Sequence, residues 1–257
     1  MDRYSDFIKN VYSLTSIDLS SYKEKQMKRR IESLAKRSGY DTFEKYFLAL
    51  KKDKKTLNEF INYMTINVSE FYRNPEQWEI LKKDVIPLLL KGKKNIKIWS
   101  SACSTGEEPY SLVMMLTKFF ALDKITIIAT DLDAEAMNKA KIGMYSAKSI
   151  DNVPAEFQKK YFEPKGSSYL ISEEIKKRVS FKHHNLLKDK YPEQCDLIVC
   201  RNVLIYFTED AKEEIFKKFN DSLIDSGILF VGSTEQIILP KRFKFSSFKT
   251  FFYQKKI

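Results

Sequence analysis

At 257 residues the chain has length for one large domain or two small ones, with enough material for a proper core. Hydrophobic content of 43% with 14% aromatics excludes a chain disordered throughout, and seven glycines with seven prolines exclude collagen and low-complexity filler. A net charge of +11 favours an anionic partner, without saying whether that is nucleic acid, lipid or an acidic protein.

Cys103, Cys195 and Cys200 are too few and too odd in number for a disulfide framework and form no C-x-x-C pair, which fits a reducing cytoplasm. The adjacent His183 and His184 do not suit two ligands of one metal, so no metal is expected. Acids stand at the N-terminus where a signal peptide carries bases, and no apolar run approaches ~18 residues. The expected protein is soluble and meets membranes only through a partner.

Residues 1–62 read as helices. Met27, Ile31, Leu34 and Ala35 recur at helical spacing in a segment that starts near Asp18 and stops at Gly39. From Tyr22 to Arg37 seven bases face two acids, so this helix shows a positive face. A third helix starts at Asp41-Thr42-Phe43-Glu44 and turns Phe43, Tyr46, Phe47 and Leu50 inward. A fourth runs from about Lys55 to Met64. Residues 63–75, ending at Pro75, mix β-branched and polar types and read as a linker.

Residues 76–257 then alternate helices with short apolar strands: Ile96–Trp99, Ile125–Ala129, Cys195–Cys200 and Gly227–Val231. Runs this continuous suit a parallel sheet covered on both faces, the doubly wound α/β class. Residues 150–182 interrupt the alternation, with Tyr169-Leu170-Ile171 and Val179-Ser180-Phe181 expected to form a small appended hairpin. Phe243 to Tyr253 reads as a terminal antiparallel pair.

In an open α/β sheet, ligands bind beyond the carboxyl ends of the strands. After Trp99 comes Ser100 to Ser111, with a single glycine and the adjacent Glu107 and Glu108. That is a poor cradle for pyrophosphate and a better one for a cationic ligand, although acids at a helix start also suit the helix dipole. Asp131 ends the next strand, 25 residues after Gly106, where an acid commonly accepts ribose hydroxyls; Asp133 is the better helix cap. The third loop opens with Arg201-Asn202 at the end of a buried apolar strand, where such groups need partners. Asn185 suits either an adenine edge or a turn.

Asn67-Val68-Ser69-Glu70-Phe71-Tyr72-Arg73, Ser104-Thr105-Gly106-Glu107-Glu108-Pro109-Tyr110-Ser111, Ala129-Thr130-Asp131-Leu132-Asp133 and Cys200-Arg201-Asn202-Val203-Leu204-Ile205-Tyr206-Phe207 resemble the signatures of the CheR family, the chemotaxis receptor glutamate O-methyltransferases. The motifs stand in family order over nearly the whole chain. The resemblance implies S-adenosylmethionine as methyl donor and S-adenosylhomocysteine as product. It also implies a class I, Rossmann-like methyltransferase domain with an inserted small β-subdomain, preceded by an all-helical domain.

Carried over residue by residue, Asn67, Ser69 and Arg73 close over the cofactor, Glu107 faces its ammonium, and Asp131 its ribose. Leu132, Asn185 and Leu186 meet the adenosine end, and Cys200 and Arg201 line the same pocket. Asn202 and Tyr206 border the methyl acceptor, with Arg73 and Tyr206 as the catalytic pair. Ser69 stands where relatives often have threonine, which keeps the hydroxyl.

The implied partner is the acidic cytoplasmic helical bundle of membrane chemoreceptors, met by a monomer through Lys25, Lys28, Arg29, Arg30, Lys36 and Arg37. The stretch from Tyr161 to Leu170 is short for the loop extension that accompanies binding of a receptor pentapeptide, so a tether-independent enzyme is expected. A nucleic-acid methyltransferase would suit the charge, yet Arg201-Asn202-Val203-Leu204 stands where adenine N6 enzymes carry D/N-P-P-Y/F/W, and no cysteine follows a proline. A non-catalytic scaffold conflicts with the presence of Arg73, Asn202 and Tyr206.

Overall fold

A computed structural model describes residues 3–91 and 93–256; Met1 and Asp2, part of the N-terminal reading above, lie outside them, as do Gly92 and Ile257. The chain divides into two compact units. One holds the residues through Ile66 together with Val203–Ile215, and the other holds Asn67–Asn202 together with the chain from Phe216 onward.

In the first unit, helices α1 (Tyr4–Thr15), α2 (Glu24–Arg37), α3 (Phe43–Lys52) and α4 (Lys54–Thr65) surround an aromatic core. Asp18 caps a separate short turn, Leu19–Ser21, rather than α2 itself, by accepting from Ser20 N at 2.9 Å. Thr42 caps α3 by accepting from Lys45 N, and because Lys45 stands where a capping box needs a glutamate, only half of that motif is present. Asp53 takes the Lys55 and Thr56 amides and starts α4 one residue after α3 ends. Met27, Ile31, Leu34 and Ala35 are all buried, as their spacing predicts. Phe7 packs against Phe43 at 5.0 Å between ring centroids, and Phe7, Tyr46 and Phe60 form further ring contacts near 6 Å. Residues 203–215 join this unit: Lys23 N donates to Tyr206 O, Thr208 N to Ser21 O, and the Tyr22 ring lies 4.9 Å from that of Phe207.

The second unit contains strands β1 (Ile98–Ser100), β2 (Ile127–Asp131), β3 (Met144–Ser146), β4 (Phe162–Lys165), β5 (Ser168–Ile171), β6 (Val179–His183), β7 (Cys195–Cys200), β8 (Leu223–Val231), β9 (Phe245–Lys249) and β10 (Phe252–Lys255). Its main sheet has the order β6-β2-β1-β7-β8-β10-β9, parallel from β6 to β8 and antiparallel thereafter. Every residue of β1 and β7 is buried, as expected of central parallel strands covered on both faces.

Two expectations change. Val179-Ser180-Phe181, assigned above to the hairpin, pairs in parallel with β2 as an edge of the main sheet. Only Val179 and Phe181 of this strand pack on the core, so its alternation looks like that of a half-exposed hairpin strand. The small sheet is instead β3-β5-β4, so the insertion begins at Met144, directly after Gly143 ends the preceding helix with φ +73°. Its hairpin closes on Gly166-Ser167 alone, between paired Lys165 and Ser168.

The chain enters the sheet at β1, moves outward through β2 and β6, and then returns to β7 on the other side of β1. The order therefore reverses between β1 and β7, and the carboxyl ends of these two strands mark the crevice where ligands bind in such sheets.

Candidate active site

Three loops and one strap meet at this switch point. The loop after β1 leads into helix Glu107–Leu116 through Gly106, whose φ is +94°. A Cβ there would lie 2.8 Å from the Ala140 Cβ and 3.0 Å from the Tyr110 ring, so both conformation and space demand glycine. At the helix start the two glutamates separate in role. Glu108 turns inward, accepting from Ser100 Oγ at 2.7 Å and pairing with Arg201 at 3.7 Å. Glu107 accepts from Thr105 Oγ1 at 2.7 Å and from the Ser69 hydroxyl. Of the two, Glu108 is paired with a cation inside the chain, whereas the partners described for Glu107 are hydroxyls.

At the end of β2, Asp131 accepts from Ser104 N at 2.7 Å and Asp133 N at 2.9 Å, joining the loops after β1 and β2. Asp133 caps helix Ala134–Ile142 through the Glu135 and Ala136 amides, the duty read for it in sequence. Its other oxygen accepts from Asn67 Nδ2 at 2.5 Å, and Asn67 Oδ1 accepts from Ser104 Oγ. Burial raises the carboxyls of Glu107, Glu108 and Asp131 above their ordinary range, despite hydrogen bonds that pull them down.

The segment expected to be a linker is fastened along its length. Besides Asn67 and Ser69, Phe71 is fully buried and Tyr72 N donates to Ser111 Oγ. Arg201 then donates through Nη2 to Arg73 O at 2.7 Å, Asn74 Oδ1 at 3.0 Å and Gln77 Oε1 at 3.1 Å. Residues 67–74 form a strap over the strand ends, and residues 63–65 belong to α4.

The remaining sequence-derived residues divide. Arg201 is buried, its guanidinium 4.8 Å over Phe230, and through Nη2 it anchors the strap. Cys200, expected to line the pocket, has no exposed surface, and burial raises its thiol pKa. Asn185 Oδ1 closes a turn by accepting from Leu187 N. Leu186 O accepts from Tyr191 Oη, and Leu132 is half-buried beside Asp131. Arg73 is half-exposed, with Nη1 on Val68 O at 3.2 Å. Asn202 has φ +60° and its N–H donates to Glu235. Tyr206 lies in the short helix Leu204–Tyr206 of the first unit.

Sequence reasoning passed over Glu235. Its signal was available: an acid three residues after Gly232 at the end of an apolar strand.

The basic helix also resolves into parts. Lys25, Arg29 and Lys36 are exposed on one side of α2. Lys28 lies over the Tyr4 ring, and Arg30 and Arg37 flank the Tyr63 ring at 4.6 and 5.0 Å, with Arg30 Nη2 donating to Tyr63 O. The six expected docking residues are therefore not one surface, because Arg30 is committed to holding α2 on α4.

Residues 67–252 match the family described as CheR methyltransferase, SAM binding domain, and residues 2–65 match CheR methyltransferase, all-alpha domain. The chain is 43% identical over 253 residues to a chemotaxis protein methyltransferase of Listeria innocua, covering 98% of this chain and 97% of that protein. A protein of the same description from Listeria monocytogenes is 42% identical over the same span, and one from Borreliella burgdorferi is 34% identical, covering 92% and 88% of the two chains.

Proposed function

Because the chain belongs to the CheR methyltransferase family and is an S-adenosylmethionine-dependent methyltransferase of chemotaxis, we propose that its acceptors are glutamate side chains in the cytoplasmic helical bundle of chemoreceptors, esterified during adaptation. The switch-point residues fit the cofactor. Gly106 leaves no side chain in the way, Glu107 offers a buried carboxylate to an ammonium, and Asp131 retains acceptor capacity for ribose hydroxyls beyond its backbone amide donors. Asn67 and Ser69 tie the strap over that site, with Leu132, Asn185 and Leu186 at the adenosine end. Asn202 borders the acceptor. For Tyr206, the motif alone supports a hydroxyl that aims the carboxylate.

The bound cofactor supplies a methyl group on a sulfonium. A glutamate acceptor, of ordinary pKa ~4.3, is already ionised at neutral pH, so no strong base is required of the chain. What the residues contribute is orientation, on the order of 7–11 kcal/mol for two well-placed reactants, and removal of water from the nucleophile. The observation that carries the carboxylate-acceptor reading is Arg73: one N–H goes to Val68 O, and the rest of its donor fork remains for an incoming carboxylate. Transfer of labelled methyl to receptor membranes in base-labile form tests this. Label in nucleic acid, or label on protein that resists mild base, would overturn it.

Charge at Glu107 gives the reading a pH dependence. Its folded pKa lies above the ordinary 4.5, so the folded chain binds more protons across that window, and stability falls as pH rises through it. A cation favours the charged carboxylate, so S-adenosylhomocysteine affinity should weaken as pH drops from neutral through the raised pKa. Calorimetric titration should show that slope in the wild type and a flattened one in Glu107→Gln.

We also assign receptor steering to the exposed side of α2. Reversing Arg29 and Lys36 to glutamate should slow methylation of receptor membranes by roughly 10-fold at low salt, with the gap closing as salt rises, while S-adenosylhomocysteine affinity is unchanged. A rate deficit insensitive to salt would count against steering.

A further inference from the structure

We infer that Glu235 is a positioning residue that fixes the backbone of Asn202 at the carboxyl end of β7, an inference that rests on the methyl-transfer reading above. Glu235 is 6% exposed, and its Oε2 accepts from Asn202 N at 2.6 Å and from Gly232 N at 2.8 Å. One carboxylate oxygen thus clamps the turns that leave two neighbouring parallel strands, β7 and β8. Such charge-assisted bonds to backbone amides are short and strong.

Two strained or crowded positions depend on this clamp. Asn202 holds φ +60°, a left-handed conformation that costs a non-glycine residue energy unless its surroundings impose it. Gly232 has no room for a side chain: a Cβ would lie 2.4 Å from Glu235 Oε2 and 2.9 Å from Asn202 N. The backbone of Gly232 and the carboxylate of Glu235 therefore approach closely at the point where that carboxylate takes the Asn202 amide. The loop is held from its far side as well, since Ile237 N donates to Tyr253 Oη at 2.9 Å. Glu235 touches neither cofactor nor acceptor on this reading. It acts through Asn202, whose side chain borders the reacting groups.

The test uses the full-length protein with three substitutions. In Glu235→Ala both amides lose their acceptor, and kcat should fall about 100-fold, the size of effect that a displacement of ~1 Å produces. S-adenosylhomocysteine Kd should stay within about 3-fold, because Glu107 and Asp131 are untouched. Glu235→Gln keeps a carbonyl oxygen for the same amides and should restore kcat to within about 5-fold of wild type. Should the alanine variant fail to fold, Gly232→Ala displaces the carboxylate by its Cβ and should reproduce the split between kcat and Kd.

Amide resonances give a readout independent of catalysis. The Asn202 and Gly232 protons should lie downfield in the wild type and move upfield together in Glu235→Gln, whether or not receptors prove to be the substrate. Resonances that do not move, or a Glu235→Ala protein with wild-type kcat, would overturn the inference. Loss of kcat only in proportion to the unfolded fraction would overturn it equally. Absence of receptor methylation by the wild type, with the amide shifts intact, would instead remove the acceptor assignment and leave the clamp standing.

Discussion

Arg201→Ala should destabilise the second unit by about 3–5 kcal/mol, the cost of leaving a buried charge uncompensated. Arg201 is 6% exposed, and its partner Glu108 lies beneath the surface with one oxygen on Ser100 Oγ and the other 3.7 Å from the guanidinium. Burial pushes the two pKa values toward neutrality from both sides, lowering Arg201 and raising Glu108, so each charge persists through the other. Removing the arginine also strips Nη2 from Arg73 O, Asn74 Oδ1 and Gln77 Oε1. Two costs are then separable by urea denaturation. Arg201→Met combined with Glu108→Gln eliminates the orphaned charge, keeps an acceptor for Ser100, and should recover more than half of the loss. A single-variant loss below ~1 kcal/mol would show that the pair contributes little.

The same residue shows how sequence reasoning succeeded and where it stopped. An arginine ending a buried apolar strand had to meet partners, and it does: the strap's backbone and Glu108. Nothing local in Cys200-Arg201-Asn202 reveals a partner 128 residues away. Long apolar strands were legible because burial on both faces leaves a continuous run, as in β7. The edge strand β6 and the three-residue β3 were not, since half-exposed alternation and short length look the same in a sheet edge and in an appended hairpin. Helical spacing sets Lys25, Arg29 and Lys36 opposite the apolar stripe of α2, and they are exposed there; it does not show that Arg30 and Arg37 lie over Tyr63 and Lys28 over Tyr4. The adjacent acids at the loop after β1 look alike by composition and spacing, whereas packing gives Glu107 the Thr105 hydroxyl and Glu108 the buried Arg201.

Arg73→Ala should lower methyl transfer by 100-fold or more while the fold remains intact, because the guanidinium contributes a half-exposed hydrogen bond to Val68 O and a smaller electrostatic effect on Glu108 than Arg201 makes. The backbone of Arg73 stays in place in this variant. Its carbonyl is held by Arg201 Nη2 at 2.7 Å and by Trp78 Nε1 at 3.0 Å, neither of which involves the side chain that is lost. The effect should therefore fall on kcat and on the KM for receptor, with thermal stability changed by less than ~1 kcal/mol. Arg73→Lys tests the chemistry more sharply. Lysine restores the charge but not the planar fork, so if Arg73 orients a carboxylate through two donors, lysine should recover less than a tenth of the lost rate. Full rescue by lysine would make Arg73 a point charge, and near-normal transfer by Arg73→Ala would remove it from the site. The orientation role also sets a limit on how tightly Arg73 should bind. Two strong, parallel bonds to the acceptor would lower the carboxylate's nucleophilicity, and the half-exposed position of Arg73 at the edge of the strap moderates that pairing with solvent.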